Sequence, residues 1–409
     1  MSGYVPAPDP RTPNQRMLRI LMLAPTPYFA DRGCHVRIYE EARTLRERGH
    51  DVRLVTYPLG RDLPGIPTYR TVQVPGYGKL AAGPSWHKPL LDVLLLFKAW
   101  RVAREFRPQL IHAHLHEGAF IGGFLRRWLR VPLLFDCQGS LSTELMDHGL
   151  FARNSLPHRA FRWLEGFINC RTDRIITSST AGARDFSVEW GIGPERVSPL
   201  IDGVNTDEFR PLERLTVRAE LGLPTVTPVV AYLGLLNRYQ GLDLLLEAIQ
   251  LLAGARVAAH FLIMGFPDAA YRQRAEELGI ADRITFTGRV DYGQAPRLLS
   301  AADCAVSPKI SLTEANGKLF NYLACGLPTV VFETPVNREI LGEDGVYAAF
   351  GDAAALAMAI RQLLADPERL ADLGRRSRER AVTEHSWAKR GERLEVVYSQ
   401  MLAGKWDGA

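Results

Sequence analysis

Short apolar runs recur along this chain, each followed by a stretch whose apolar positions fall three and four residues apart, and the two patterns alternate from residue 18 onward. The runs predict strands at Leu18–Ala24, Val52–Thr56, Leu110–Ala113, Pro132–Asp136 and Arg174–Thr177 in the first half. In the second half they predict strands at Val229–Gly234, His260–Gly265, Ile284–Gly288, Asp303–Ser307, Thr329–Phe332 and Val346–Phe350. Strands of this kind, separated by helical segments, suit parallel sheets covered on both faces. The reading is an α/β chain of two Rossmann-like sheets, joined in the turn-rich stretch Ile201–Pro211. A last helix is predicted over Trp387–Leu402.

One unit, Asp303–Val331, reads as a strand, a polar loop, a short helix and a second strand. Leu319, Tyr322 and Leu323 give the helix one apolar face, and Gly326 and Pro328 supply a left-handed cap and a stop. The helix is predicted to begin near Gly317, so its free N–H groups and Lys318 would face the crevice at the carboxyl end of the strand, where open α/β sheets hold anions. The first unit similarly places Gly33 in a loop between a strand and a helix with apolar positions at Val36, Ile38, Ala42 and Leu45. Tyr232–Ile249 is a third strand, glycine turn and amphipathic helix. In IHAHLHE, His112, His114 and His116 alternate and would share one face if the strand persists, as metal ligands or as polar groups at a cleft edge.

Length and composition narrow the class. The 409 residues suffice for two domains, and 50 basic against 45 acidic residues leave a net charge of +5, which is no nucleic-acid footprint. Five scattered cysteines without C-x-x-C spacing predict reduced thiols, no zinc site and a cytoplasmic protein. Residues 1–17 are polar and Pro-rich, and read as a disordered lead-in. Pro89–Trp100 is too short and too charged to span a membrane. However, Leu91, Leu94, Leu95, Phe97 and Trp100 with Lys98, Arg101 and Arg104, followed by FLRRWLR at Phe124–Arg130, mix apolar and basic residues as interfacial helices do.

The motifs resemble, in order, those of family GT4, glycosyltransferases of the GT-B fold. LACGLPTVV (Leu323–Val331) resembles the family's A-C-G-x-P-V-V, RGHDV (Arg48–Val52) the end of its first helix, and IDGVNTDEF its interdomain hinge, with Asp202 and Asn205 exchanging acid and amide. At four ligand-facing places the chain departs from the family: Gln138 for a His near the reacting sugar, Leu235 and Gln240 for the Arg and Lys that grip the diphosphate, and Asn321 for the Glu on the ribose. The family's other Glu aligns with Thr313, or with Glu314 after a shift of one.

The resemblance implies domains at 18–205 for the acceptor and 206–385 for a nucleotide sugar, with 386–409 crossing back to the first. It implies donor contacts at Gly33, Gly234, Arg238, Gly288, Glu314, Asn316, Gly317, Lys318 and Asn321, and acceptor contacts at His112, His114 and His116. Asp136, Gln138 and Glu314 become the catalytic candidates; Gln138 cannot titrate, so Asp136 or a donor phosphate oxygen would take the acceptor proton. Retention of configuration, no metal, no cofactor, and a glycan or lipid-linked acceptor at the inner face of a membrane complete the expectation. With no D-x-D and no G-x-G-x-x-G, neither a metal-dependent GT-A transferase nor a dinucleotide dehydrogenase fits. A non-catalytic nucleotide-binding module and a nucleotide-sugar 2-epimerase remain as alternatives.

Overall fold

The computed structural model describes residues 17–30, 33–78, 86–147, 150–312 and 316–403. Apart from Met17, the expected lead-in lies outside them, as does Glu314. The first sheet comprises β1 (Arg19–Ala24), β2 (Asp51–Thr56), β3 (Thr68–Arg70), β4 (Leu110–His114), β5 (Leu133–Cys137), β6 (Arg174–Thr177) and β7 (Val197–Pro199). Its order is β3-β2-β1-β4-β5-β6-β7, parallel throughout. The second comprises β8 (Val229–Leu233), β9 (His260–Met264), β10 (Ile284–Gly288), β11 (Cys304–Ser307), β12 (Thr329–Phe332) and β13 (Gly345–Ala348), in the order β10-β9-β8-β11-β12-β13 and again parallel. Each predicted run became a strand. The three-residue edge strands β3 and β7 escaped prediction because they are too short to show a period.

Alternation along β1 explains the layering of the first domain. Leu21 and Leu23 pack beneath helices Lys88–Phe106 and Leu115–Leu129, while Ile20 and Met22 face the opposite layer. That opposite layer is built by helix Gly33–Glu47 and by the last helix, Trp387–Ala403, which inserts Leu394, Val397, Tyr398 and Met401. The final helix thus returns to the first sheet after the second is complete.

Two crossings between the sheets lie side by side. Val204 N–H donates to the His385 carbonyl at 2.8 Å and Trp387 N–H to the Val204 carbonyl at 3.2 Å. Among the described residues no helix is long and apolar enough to cross a membrane.

Candidate active site

Both sheets change strand direction of growth at one point, between β1 and β4 and between β8 and β11, and the carboxyl ends at these switch points open onto a shared cleft of about 780 Å³. Its walls are the turns that follow the strands: Pro25–Pro27, Leu115–Glu117, Gln138–Ser140 and Thr177–Ser179 from the first sheet, Leu233–Leu235, Met264–Phe266 and Lys309 from the second. Gly33, Asn316, Gly317, Lys318 and Asn321 also line it.

On the second sheet's side the cleft is lined by two lysines and, among the described residues, no carboxylate. Lys318 begins helix Lys318–Ala324, lies over the Tyr232 ring at 4.2 Å, and donates to Gln240 Oε1 at 2.9 Å and to the Tyr232 hydroxyl at 3.1 Å. Desolvation, with Lys309 nearby, pushes its pKa well below the usual lysine range. Gly234, at φ 140°, leaves room for it: a Cβ there would stand 2.9 Å from the Lys318 ammonium. Gly241, at φ 77°, lets its turn press against Pro308, whose carbonyl would lie 1.8 Å from a Cβ, and so brings the loop carrying Lys309 up to the loop carrying Gln240. Asn316 is buried and its amide is spent on Ser307 Oγ at 3.0 Å and Asn337 Oδ1 at 3.2 Å, so it shapes the loop. Arg238 is exposed in a single turn outside the cleft lining, and Gly288, at φ 72°, closes β10 outside it too. Lys309, and not the expected donor contact Arg238, is the second cation-forming side chain in the cleft lining on this side.

On the first sheet's side the structure corrects the histidine reading. His112 and His114 are fully buried on β4, facing the layer of the first and last helices, because the strand ends at His114. Leu115, at φ 61°, then turns the chain, and His116 alone reaches the cleft wall from helix Leu115–Leu129. His112 Nδ1 pairs with the Tyr398 hydroxyl at 2.8 Å, and its ring stacks on His114 with centroids 4.5 Å apart.

Asp136 is also buried, and the acid-base role expected of it does not fit its surroundings. Arg37 Nε donates to Oδ2 at 2.8 Å, His114 Nδ1 at 2.9 Å, and Gln138 Nε2 at 3.0 Å. Burial opposes its ionisation, but Arg37 and the His114 hydrogen bond outweigh burial and hold the carboxyl well below the usual range. Such a group cannot take a proton from an acceptor hydroxyl. Gln138 lines the cleft; with its amide nitrogen committed to Asp136, its carbonyl oxygen is the end left to accept a hydroxyl.

Glu41, His112, His114 and Asp136 bring ligand-type atoms within 4.8 Å of one another. Arg37 pairs with Asp136 and Asp202, while Arg390 pairs with Glu41 and donates to the Ile201 carbonyl at 2.7 Å. Two guanidiniums already neutralise those carboxylates, so the set does not fit a cation. It is a buried polar network tying the first helix, β4, β5, the hinge and the last helix together. Only the H-x-H spacing hinted at it in sequence; the Arg and Glu partners lie too far apart along the chain to signal it.

Residues 32–201 match the family described as Glycosyl transferase 4-like domain, and residues 213–380 that described as Glycosyl transferases group 1. A D-inositol 3-phosphate glycosyltransferase of Segniliparus rotundus is 26% identical, covering 97% of this chain and 92% of its own length. One from Acidothermus cellulolyticus is 28% identical, over 91% and 86%. Sucrose-phosphate synthase from Thermosynechococcus elongatus superposes with a TM-score of 0.78 at 22% identity, covering 95% of this chain and all of the other (100%). Anabaena HepE, solved with UDP and glucose, superposes at 0.75 and 18% identity, covering 94% and 100%.

Proposed function

Since this chain belongs to the GT4 glycosyltransferases of GT-B fold, we propose that it moves a sugar from a nucleoside diphosphate donor to a hydroxyl held by the first domain, with retention of configuration. The observation that carries this reading is the pair Lys309 and Lys318 in a cleft wall that holds no carboxylate among its described residues. A diphosphate there restores charge to Lys318 and neutralises both ammonium groups, which supplies locally what a metal ion supplies elsewhere. Transfer is therefore metal-independent, and EDTA leaves turnover unchanged. HepE, of the same fold, is solved with UDP-glucose, which favours a UDP-sugar as the donor class.

The acceptor hydroxyl meets the Gln138 carbonyl, and its proton passes to an oxygen of the departing phosphate, since Asp136 is locked in its ion pair. Closure of the two sheets over the cleft excludes water from the donor. The acceptor is a glycan or lipid-linked glycan at a membrane surface, a reading supported by the outward faces of helices Lys88–Phe106 and Leu115–Leu129, where Phe97, Phe124 and Trp128 are exposed beside Arg101, Arg104 and Arg127.

Calorimetry with UDP, ADP and GDP against the matching nucleosides tests the donor site. Lys318→Ala is expected to weaken the preferred diphosphate roughly ten- to a hundredfold, as loss of a charge-assisted contact worth about 1.5–3 kcal/mol requires, and to leave the nucleoside unchanged. Equal weakening of both, or of neither, refutes the assignment. Diphosphate binding with no donor hydrolysis or transfer over days would point to a non-catalytic binding module instead.

A further inference from the structure

The cleft is electrically lopsided. Its second-domain wall presents Lys309 and Lys318 and no carboxylate among the described residues, whereas its first-domain wall presents Glu117, Glu165, Asp185 and Glu189 against Lys88 and Arg162. A further pair on that side, Arg37 and Asp202, supplies no available cation, because Arg37 is also held by Asp136. Both remaining cations are matched as well. Lys88 pairs with Glu117, and Arg162 donates to Glu189 at 2.9 Å and stands 3.9 Å from Glu165. The acceptor wall is therefore acidic by two charges, with its cations engaged.

A second observation marks this wall as a binding surface. His116 is buried to 4% exposure at the cleft wall, and its Nε2 has no hydrogen-bond partner; the nearest carboxylate oxygen, Glu165 Oε1, is 3.6 Å away. Burial favours the neutral imidazole, and the unpartnered Nε2 is closed off from solvent, so a small side-chain shift must precede its contact with a hydroxyl. Glu165 is itself buried and fixed by the Ser142 hydroxyl at 2.8 Å and the Ser140 hydroxyl at 3.3 Å. Asp185 has its carboxyl pKa raised, first by partial desolvation and then by the charge of Glu189.

We infer that the acceptor group entering this cleft is a sugar without phosphate or other anionic substituent, and that a free amine on it is favoured. The inference rests on the transfer reading above and refines it. It separates this chain from the relatives named for D-inositol 3-phosphate, because an acceptor phosphate here would meet carboxylates and no available cation. The donor phosphates and the acceptor are thus sorted to opposite walls by charge.

The test is ligand-observed NMR binding to the full chain at low ionic strength, using glucose, glucosamine and glucose 6-phosphate as probes that share a ring and differ in charge, with UDP binding followed separately. Glucosamine is expected to bind at least as well as glucose, and glucose 6-phosphate at least tenfold more weakly. Asp185→Asn combined with Glu189→Gln, two surface changes that leave the core intact, should shrink that gap severalfold. Tighter binding of glucose 6-phosphate or D-inositol 3-phosphate than of their uncharged counterparts overturns the inference, as does binding of no sugar at all while UDP still binds. Failure of UDP to bind would instead undercut the donor site, and the charge order of the sugars would still decide the acceptor class.

Discussion

Lys318 and His112 are both held away from their ordinary protonation behaviour by burial, and each makes a measurable consequence at the scale of one residue. Lys318 is pushed well below the usual lysine range by desolvation and by Lys309. An anionic partner reverses that, so diphosphate binding should draw protons from the medium. Calorimetry at pH 8 in buffers of different ionisation enthalpy should show this uptake, and Lys318→Met should abolish it; a binding heat independent of buffer would mean the ammonium stays charged in the empty cleft. His112 is held down to about 3 by burial first and then by His114 and Arg37, against the opposite pull of Glu41 and Asp136. In the unfolded chain its pKa returns to about 6.5, so the unfolded state binds more protons between those values and stability falls as pH drops through that window. From pH 7 to pH 5 this one group should cost roughly 2 kcal/mol. Urea melts of the protein and of His112→Phe at both pH values check it: the variant should lose less on acidification, whatever its stability at pH 7, and parallel losses would reject the assignment.

At the scale of the element, the two helices that cover the first sheet's outer layer keep an apolar face toward solvent as well as toward the core. In Lys88–Phe106, Leu90, Val93 and Phe97 are exposed at helical spacing, and in Leu115–Leu129 so are Phe120, Phe124 and Trp128. The Trp100 and Trp128 rings stack at 5.1 Å, joining the two stripes, and Arg104 lies over Trp100 at 4.9 Å. Apolar rings among arginines match an anionic lipid surface. A fully buried phenyl is worth about 1.5–3 kcal/mol, so Phe97→Ser with Phe124→Ser should lower partitioning onto phosphatidylglycerol vesicles at least tenfold while the melting temperature holds. Flotation that is unaffected by the double variant would leave the face without a membrane role. The sequence showed both stripes but could not separate inward from outward residues, since a helix apolar on two sides has no single apolar face.

Across the whole molecule, the two crossings at Val204 and Ser386 form the joint about which the sheets would close, and Gly203 lets them touch: a Cβ there would stand 3.0 Å from the His385 carbonyl and 3.2 Å from Trp387 N. Gly203→Val should push the crossings apart, lower the melting temperature by a few degrees and blunt closure. Small-angle scattering with and without UDP reads this directly. The radius of gyration should shrink on binding in the parent chain and not in the variant; equal shrinkage in both would place the moving joint elsewhere.

Strand positions and the parallel layering were legible in the sequence because each depends on local periodicity and turn residues. The start of the helix at Lys318, at the cleft edge, was legible for the same reason. What stayed hidden depended on residues distant in sequence meeting in space. His112 and His114 read as cleft groups until Leu115 turned the chain and left them beneath the last helix. Asp136 read as a base until Arg37, far earlier in the chain, took both its oxygens. Lys309, Glu165 and Arg390 carried no local signal at all. Periodicity reports which way a side chain points relative to its neighbours in the chain; only the packed structure decides which charges meet, and the chemistry of this cleft is set by those meetings.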